Sequence, residues 1–127
     1  MSSDPVRGIV VSHAALGSAL VDAVQAITGQ ADILIPISND GCSAASLLSR
    51  VRVAVGDGPC VMFVDVAGGS CCRAAASLVP SLPGLHVVTG VNLPMLLDFV
   101  MHRDEDAARA AERATRAGAS GIDRISK

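Results

Sequence analysis

Two titratable side chains in this sequence stand where an apolar run stops. Gly8-Ile9-Val10-Val11-Ser12 leads directly into His13, and Cys60-Val61-Met62-Phe63-Val64 leads directly into Asp65. A neutral imidazole is a competent nucleophile, and a carboxylate that accepts a hydrogen bond from one ring nitrogen fixes the tautomer so that the other nitrogen presents its lone pair. Shortly after Asp65 comes Gly68-Gly69-Ser70. The amides of such a turn are free of side-chain obstruction and, at the start of a helix, make a seat for an anion. Histidine, carboxylate and anion seat suit phosphoryl transfer through a phosphohistidine at His13, with Asp65 orienting the ring and Gly68, Gly69 and Ser70 stabilising charge. No second acidic cluster accompanies them to hold magnesium, so neither a metal nor a cofactor is expected.

Other residues compete for attention. Asn92, in the turn Gly90-Val91-Asn92, either holds its loop by side-chain hydrogen bonds or reaches the phosphoryl group, and it joins the phosphoryl-binding candidates on the second ground. His86 and His102 lack comparable company. Ser12 cannot be activated by its neighbour, because consecutive strand residues point to opposite faces, and Ser70 is a weaker candidate nucleophile than His13. Of the four cysteines, Cys71 and Cys72 fall at a predicted helix N-terminus, where a thiol pKa falls, so a non-catalytic redox or anion sensor is the alternative of another class. No cysteine pair has the C-x-x-C spacing of a zinc site, and the chain is too apolar for a disulfide scaffold, so free thiols are expected.

Positioning these groups requires strands that end at one edge. Apolar runs at Gly8–Ser12, Ile33–Ile37, Cys60–Val64 and Leu85–Thr89 alternate with helical periodicity at Leu16–Ile27, Ser43–Val55, Cys71–Val79, a helix with Pro94 in its first turn, and Asp104–Ala117. In the first of these helices Leu16, Leu20, Val24 and Ile27 form the apolar stripe. Pro36 means that the second strand either ends there or lies at a sheet edge, Gly118–Gly121 ends the last helix, and Ile122-Asp123-Arg124-Ile125 reads as a short terminal strand. The alternation implies a doubly wound, flavodoxin-like α/β fold: a mostly parallel sheet with helices on both faces. In the flavodoxin-like strand order the ligand crevice lies between the first and third strands, the two that end in His13 and Asp65.

Composition narrows the function. At 127 residues and half apolar, the chain fits one domain, 1–127. A net charge of -2, scattered basic residues, and Phe63 and Phe99 as the only aromatic side chains exclude a nucleic-acid partner. No apolar run approaches the roughly 18 residues of a membrane span, and Met1–Arg7 has no signal-peptide core, so a cytoplasmic protein without direct membrane insertion is expected.

The chain resembles the enzyme IIA proteins of the mannose family of the bacterial phosphoenolpyruvate-dependent sugar phosphotransferase system. The resemblance rests on Gly8 through His13, on Phe63-Val64-Asp65 followed by Gly68-Gly69-Ser70, and most distinctively on Gly90-Val91-Asn92-Leu93-Pro94-Met95-Leu96. It implies phosphorylation of His13 by the phosphocarrier HPr, onward transfer to an enzyme IIB histidine for sugar uptake, and an orienting role for Asp65. It also implies a homodimer in which the terminal strand crosses to pair antiparallel with the partner's sheet. Members of the family usually carry Gly after the histidine and Pro-x-Asn after Gly-Gly-Ser; this chain has Ala14 and Cys71-Cys72-Arg73. Those departures point to the alternative of a regulatory phosphorelay whose phosphorylation state is the output.

Overall fold

The computed structural model describes residues 5–127; the segment 1–4, part of the stretch read above for a leader, lies outside it. Strands and helices alternate among the described residues: β1 (Arg7–Ser12), α1 (Leu16–Thr28), β2 (Leu34–Ser38), α2 (Ala44–Val55), β3 (Cys60–Val64), α3 (Ser70–Leu78), β4 (Leu85–Thr89), α4 (Leu93–Met101) and α5 (Ala107–Ser120). The strands form one parallel sheet in the order β2-β1-β3-β4. Pro36, which has no amide to donate, lies on the edge strand β2, opposite Val10 of β1. β3 is central, and every one of its residues is buried, as a parallel strand covered on both faces requires.

Strand alternation divides the core in two. Val10, Val61, Phe63 and Val88 face α1, α4 and α5, whereas Ile9, Val11, Cys60, Met62 and Val64 face α2 and α3. On the first face Phe63 and Phe99 meet edge to face with centroids 5.1 Å apart. Phe99 also closes on Gly8 so tightly that a Cβ there would stand 2.4 Å from its ring. Gly8 is therefore in the sequence for proximity, and it lets α4 settle over β1.

Two expectations are corrected, and a third, the terminal strand, finds no partner within a single chain. First, α1 buries Gly17, Val21 and Val24, while Leu16 and Ile27 are exposed. The backbone amide of Gly17 donates to Ser12 Oγ at 2.7 Å, and this close approach turns the face through Gly17 toward the sheet. Second, α5 starts at Ala107, because the Asp106 side chain accepts from the Arg109 amide at 2.8 Å and caps it there. It also runs through Gly118: a Cβ at that glycine would meet Met95 Cε at 2.7 Å, so the residue serves helix contact and does not end the helix. Third, Ile122–Ile125 forms no strand within the chain, and Ile122 and Ile125 are both exposed. A strand needs a ladder partner for its amides and carbonyls, and no strand of this chain is placed beside the segment.

Candidate active site

The register of β1 and β3 pairs Val11 with Val64, so Asp65, one residue on, and His13, two residues on, leave the sheet at the same edge. Asp65 then takes hold of His13 twice. Its Oδ2 accepts from the His13 backbone amide at 2.8 Å and stands 2.8 Å from His13 Nδ1. The other carboxylate oxygen, Oδ1, accepts from the Val66 amide at 2.9 Å. Burial would raise the Asp65 pKa, but the hydrogen bonds from His13 and Val66 and the ring's charge outweigh it and hold the carboxyl below its ordinary value. An ionised Asp65 accepts only, so when the ring is neutral its proton belongs on Nδ1 and the lone pair on Nε2.

Nε2 is also the accessible nitrogen. The His13 side chain is 45% exposed, against 5% for Asp65, so the pair is anchored at its inner end and open at its outer one. Gly69 lies against that outer edge: a Cβ there would stand 3.3 Å from His13 Cε1 and 3.7 Å from Nε2. A side chain would fill the space in front of Nε2. Gly68 turns the chain into α3 with φ +84, a conformation favoured by glycine. Gly69 is the N-cap of α3 and no side chain caps the helix, so the amides of its first turn, Ser70 among them, have no side-chain partner.

The other wall is the turn between β1 and α1. Asn39, in the loop after β2, braces it from the side: its amide donates to the Ser12 carbonyl at 3.0 Å, and its Oδ1 accepts from the Ala14 amide at 3.3 Å. Ala14 itself has φ +50, in the left-handed region. Glycine would adopt this conformation without strain, so the alanine is a local cost of about 1–2 kcal/mol.

Asn92 has a different place. Its Oδ1 accepts from the Met95 amide at 3.0 Å and its Nδ2 donates to the Gly118 carbonyl at 2.9 Å, so it caps α4 and ties it to α5. Of the two roles that sequence allowed, the geometry builds the loop-holding one. His102 is likewise engaged away from the site: its Nδ1 stands 2.8 Å from the Asp98 carbonyl oxygen.

Sequence singled out Cys71 for its reactivity, but not for its place beside His13. Its Sγ lies 4.0 Å from His13 Nδ1, and the side chain is fully buried. The helix N-terminus was expected to lower this thiol; burial, aided by the negative charge of Asp65, pushes it up instead. Cys60, buried in β3, is pushed up to about 12 by burial, against a small opposing effect of Arg7. All four cysteines are free thiols, and Cys72 is only half-buried.

Comparison with known proteins decides the family. The EIIA-man family model, described as the PTS system fructose IIA component, matches residues 8–115. The chain belongs to the mannose-type enzyme IIA family. A relative from Klebsiella pneumoniae, the PTS system sorbose-specific EIIA component, is 31% identical over 98 residues, 75% of this chain and 73% of that one. The fold recurs in the mannose/sorbose specific IIA subunit from Enterococcus faecalis, with a TM-score of 0.86 at 22% identity over 98% of this chain and 97% of that one. It recurs too in phosphotransferase system component EIIA from Streptococcus agalactiae, with a TM-score of 0.87 at 20% identity over 94% and 96%. As an enzyme IIA chain it is a phosphotransferase system component. Among the described residues no helix is long and apolar enough to cross a membrane.

Proposed function

We propose that His13 accepts the phosphoryl group of phospho-HPr on Nε2 and passes it to a histidine of an enzyme IIB component, in the cytoplasm and in the service of sugar uptake. The observation that carries this reading is the 2.8 Å contact between Nδ1 and Asp65 Oδ2, which leaves Nε2 as the exposed lone pair facing Gly69. In the forward step the Nε2 lone pair forms a bond to phosphorus as the P–N bond to the HPr histidine breaks, and that histidine keeps the released electron pair. Nδ1 retains its proton, and Asp65 offsets the positive charge that grows on the ring. Gly68, Gly69 and Ser70 receive the phosphoryl oxygens at the α3 N-terminus. Leu16 and Val66, both exposed and close in sequence to His13 and Asp65, give a protein donor apolar footing beside the ring.

The dimer is part of the same proposal. Exposed Ile122 and Ile125 follow α5, and β4 is an edge strand, so each chain offers a strand and an edge for pairing with a second copy. Sedimentation equilibrium showing a monomer at micromolar concentration removes this part and leaves the chemistry standing. The chemistry itself is tested by incubating the protein with phosphoenolpyruvate, enzyme I and HPr and measuring acid-labile phosphate. Labelling that is abolished in His13→Ala is the expected result; equal labelling of His13→Ala overturns the reading.

A further inference from the structure

Phosphoryl transfer as described makes no use of Cys71, yet its sulfur is packed against the catalytic pair. His13 Nδ1, Asp65 and Cys71 Sγ place three potential ligand atoms within 4.8 Å of one another. They come from three separate pieces of the fold: the turn after β1, the end of β3 and the first turn of α3. Imidazole, carboxylate and thiolate are the donor set of zinc and its borderline-soft neighbours, whereas magnesium and calcium take oxygen.

We propose that His13 Nδ1, an Asp65 oxygen and Cys71 Sγ form a binding site for Zn2+, and that metal and phosphoryl group exclude each other at His13. The second half rests on the phosphohistidine reading; the first does not. Bonds of about 2.0–2.3 Å to a tetrahedral zinc put ligand atoms roughly 3.3–3.6 Å apart. Sγ at 4.0 Å from Nδ1 must close by about half an ångström, and Oδ2 at 2.8 Å must withdraw by about as much. His13, being 45% exposed, has room to make that adjustment. The carboxylate is held by the amides of His13 and Val66, which act as outer-sphere support for a ligand. Water completes the fourth position on the open side.

Exclusion follows from the proton count on the ring. Zinc takes the lone pair of Nδ1, which in the metal-free protein carries the proton; that proton moves through solvent to Nε2, and the nucleophilic lone pair is gone. The Cys71 thiol gives its proton to solvent as the sulfur–zinc bond forms, because the thiolate is the ligand. Metal binding and phosphorylation therefore demand opposite tautomers of one ring.

The experiment uses the full chain, stripped with chelator and kept reduced, with Co2+ as a spectroscopic stand-in for Zn2+. One Co2+ per chain is expected, with a thiolate-to-cobalt charge-transfer band that Zn2+ displaces. The band is expected to be lost in Cys71→Ala and His13→Ala and kept in Cys42→Ala and Cys72→Ala. Binding weaker than about 100 µM, or a band that survives Cys71→Ala, overturns the site. A measurement without variants runs alongside: stoichiometric Zn2+ added to the lightly buffered parent at about pH 8 is expected to release one proton per chain as the Cys71 thiol becomes a thiolate ligand, and absence of that release overturns the site as well. In the second arm, phospho-HPr prepared beforehand labels the parent, and stoichiometric Zn2+ is expected to slow labelling at least tenfold until chelator restores it. In Cys71→Ala, whatever its rate without metal, that sensitivity to zinc is expected to disappear. Labelling unaffected by bound Zn2+ overturns the exclusion alone; a parent that takes no label even without metal overturns the phosphohistidine reading, while the cobalt spectrum still decides the site.

Discussion

Asp65→Asn is the substitution that separates the orienting role of the carboxylate from its bulk. The wild-type carboxylate faces three donors, the His13 amide, the His13 ring and the Val66 amide, at 2.8, 2.8 and 2.9 Å. An amide offers one acceptor oxygen. If that oxygen takes the Oδ2 position, the new NH2 group confronts the Val66 amide; if it takes the Oδ1 position, the NH2 confronts the His13 amide and donates to Nδ1. The second arrangement moves the ring proton to Nε2 and removes the nucleophile. With Asp65 only 5% exposed, one donor left unsatisfied and two charge-assisted bonds made neutral cost about 2–4 kcal/mol of stability, a drop in Tm on the order of 10 °C. Loss of both the tautomer bias and the compensating charge is expected to slow phosphorylation by on the order of 10²–10⁴-fold, the scale of the same exchange in a Ser-His-Asp triad.

The assay is the initial rate of acid-labile labelling from phospho-HPr, measured where circular dichroism shows both proteins fully folded. A variant that labels within about threefold of the parent refutes the tautomer argument. Acid provides an independent check with a definite sign. The folded Asp65 pKa lies below its ordinary value of 3.8, so its contribution to stability is fully present above that pH and is lost as the pH falls through the folded value. The stability gap between parent and Asp65→Asn is therefore expected to shrink as the pH falls below 3.8. A gap that widens on acidification is incompatible with the depressed carboxyl.

Three further substitutions test the frame around the pair. Ala14→Gly relieves the φ +50 strain, offset by the extra freedom of glycine in the unfolded chain, and is expected to raise stability by about 0.5–1 kcal/mol in urea unfolding; a loss of stability would show that the turn is not strained. Gly69→Ala keeps an allowed backbone, φ -85, and is expected to stay within about 1 kcal/mol of the parent. Its methyl, 3.7 Å from Nε2, is nevertheless expected to cut labelling by roughly tenfold or more, and undiminished labelling would place the phosphoryl group elsewhere. Ser12→Ala strips the buried acceptor from the Gly17 amide and is expected to lower the urea midpoint by the equivalent of about 1–2 kcal/mol; an unchanged midpoint would mean that water or the helix takes over that amide.

How much of this was legible depends on the range over which each feature is determined. His13 and Asp65 were readable because each ends a continuous apolar run, and a parallel strand buried on both faces advertises its limits in composition. Their adjacency followed from the doubly wound order, and the sheet β2-β1-β3-β4 realises it. Pro36 on the edge strand and Ser43 as the cap of α2, accepting from the Ser46 amide at 3.1 Å, were equally local. Of the predicted stripe of α1, Val24 is buried and Leu20 packs against the core, but Leu16 and Ile27 are exposed although they fit a helical period as well as Val21 does. The choice between faces is made by Gly17, whose lack of a side chain admits Ser12 Oγ, and periodicity weighs glycine as nothing.

Asn92 and Cys71 show the other limit, where a role is set by a partner far along the chain. Asn92 spends its amide on the Gly118 carbonyl, 26 residues away, and no local pattern contains that bond. Cys71 is 58 residues from His13, and its sulfur reaches the ring only because α3 begins at Ser70 and so directs its second residue inward. One residue of difference in the start of the helix would turn that direction by about 100° and aim a different side chain at His13. Reading Cys71 from sequence therefore required knowing both the register of β1 against β3 and the rotational phase of α3. The usual spacing rules for metal ligands miss it for the same reason, since they describe ligands delivered by one turn, and here three elements deliver one each.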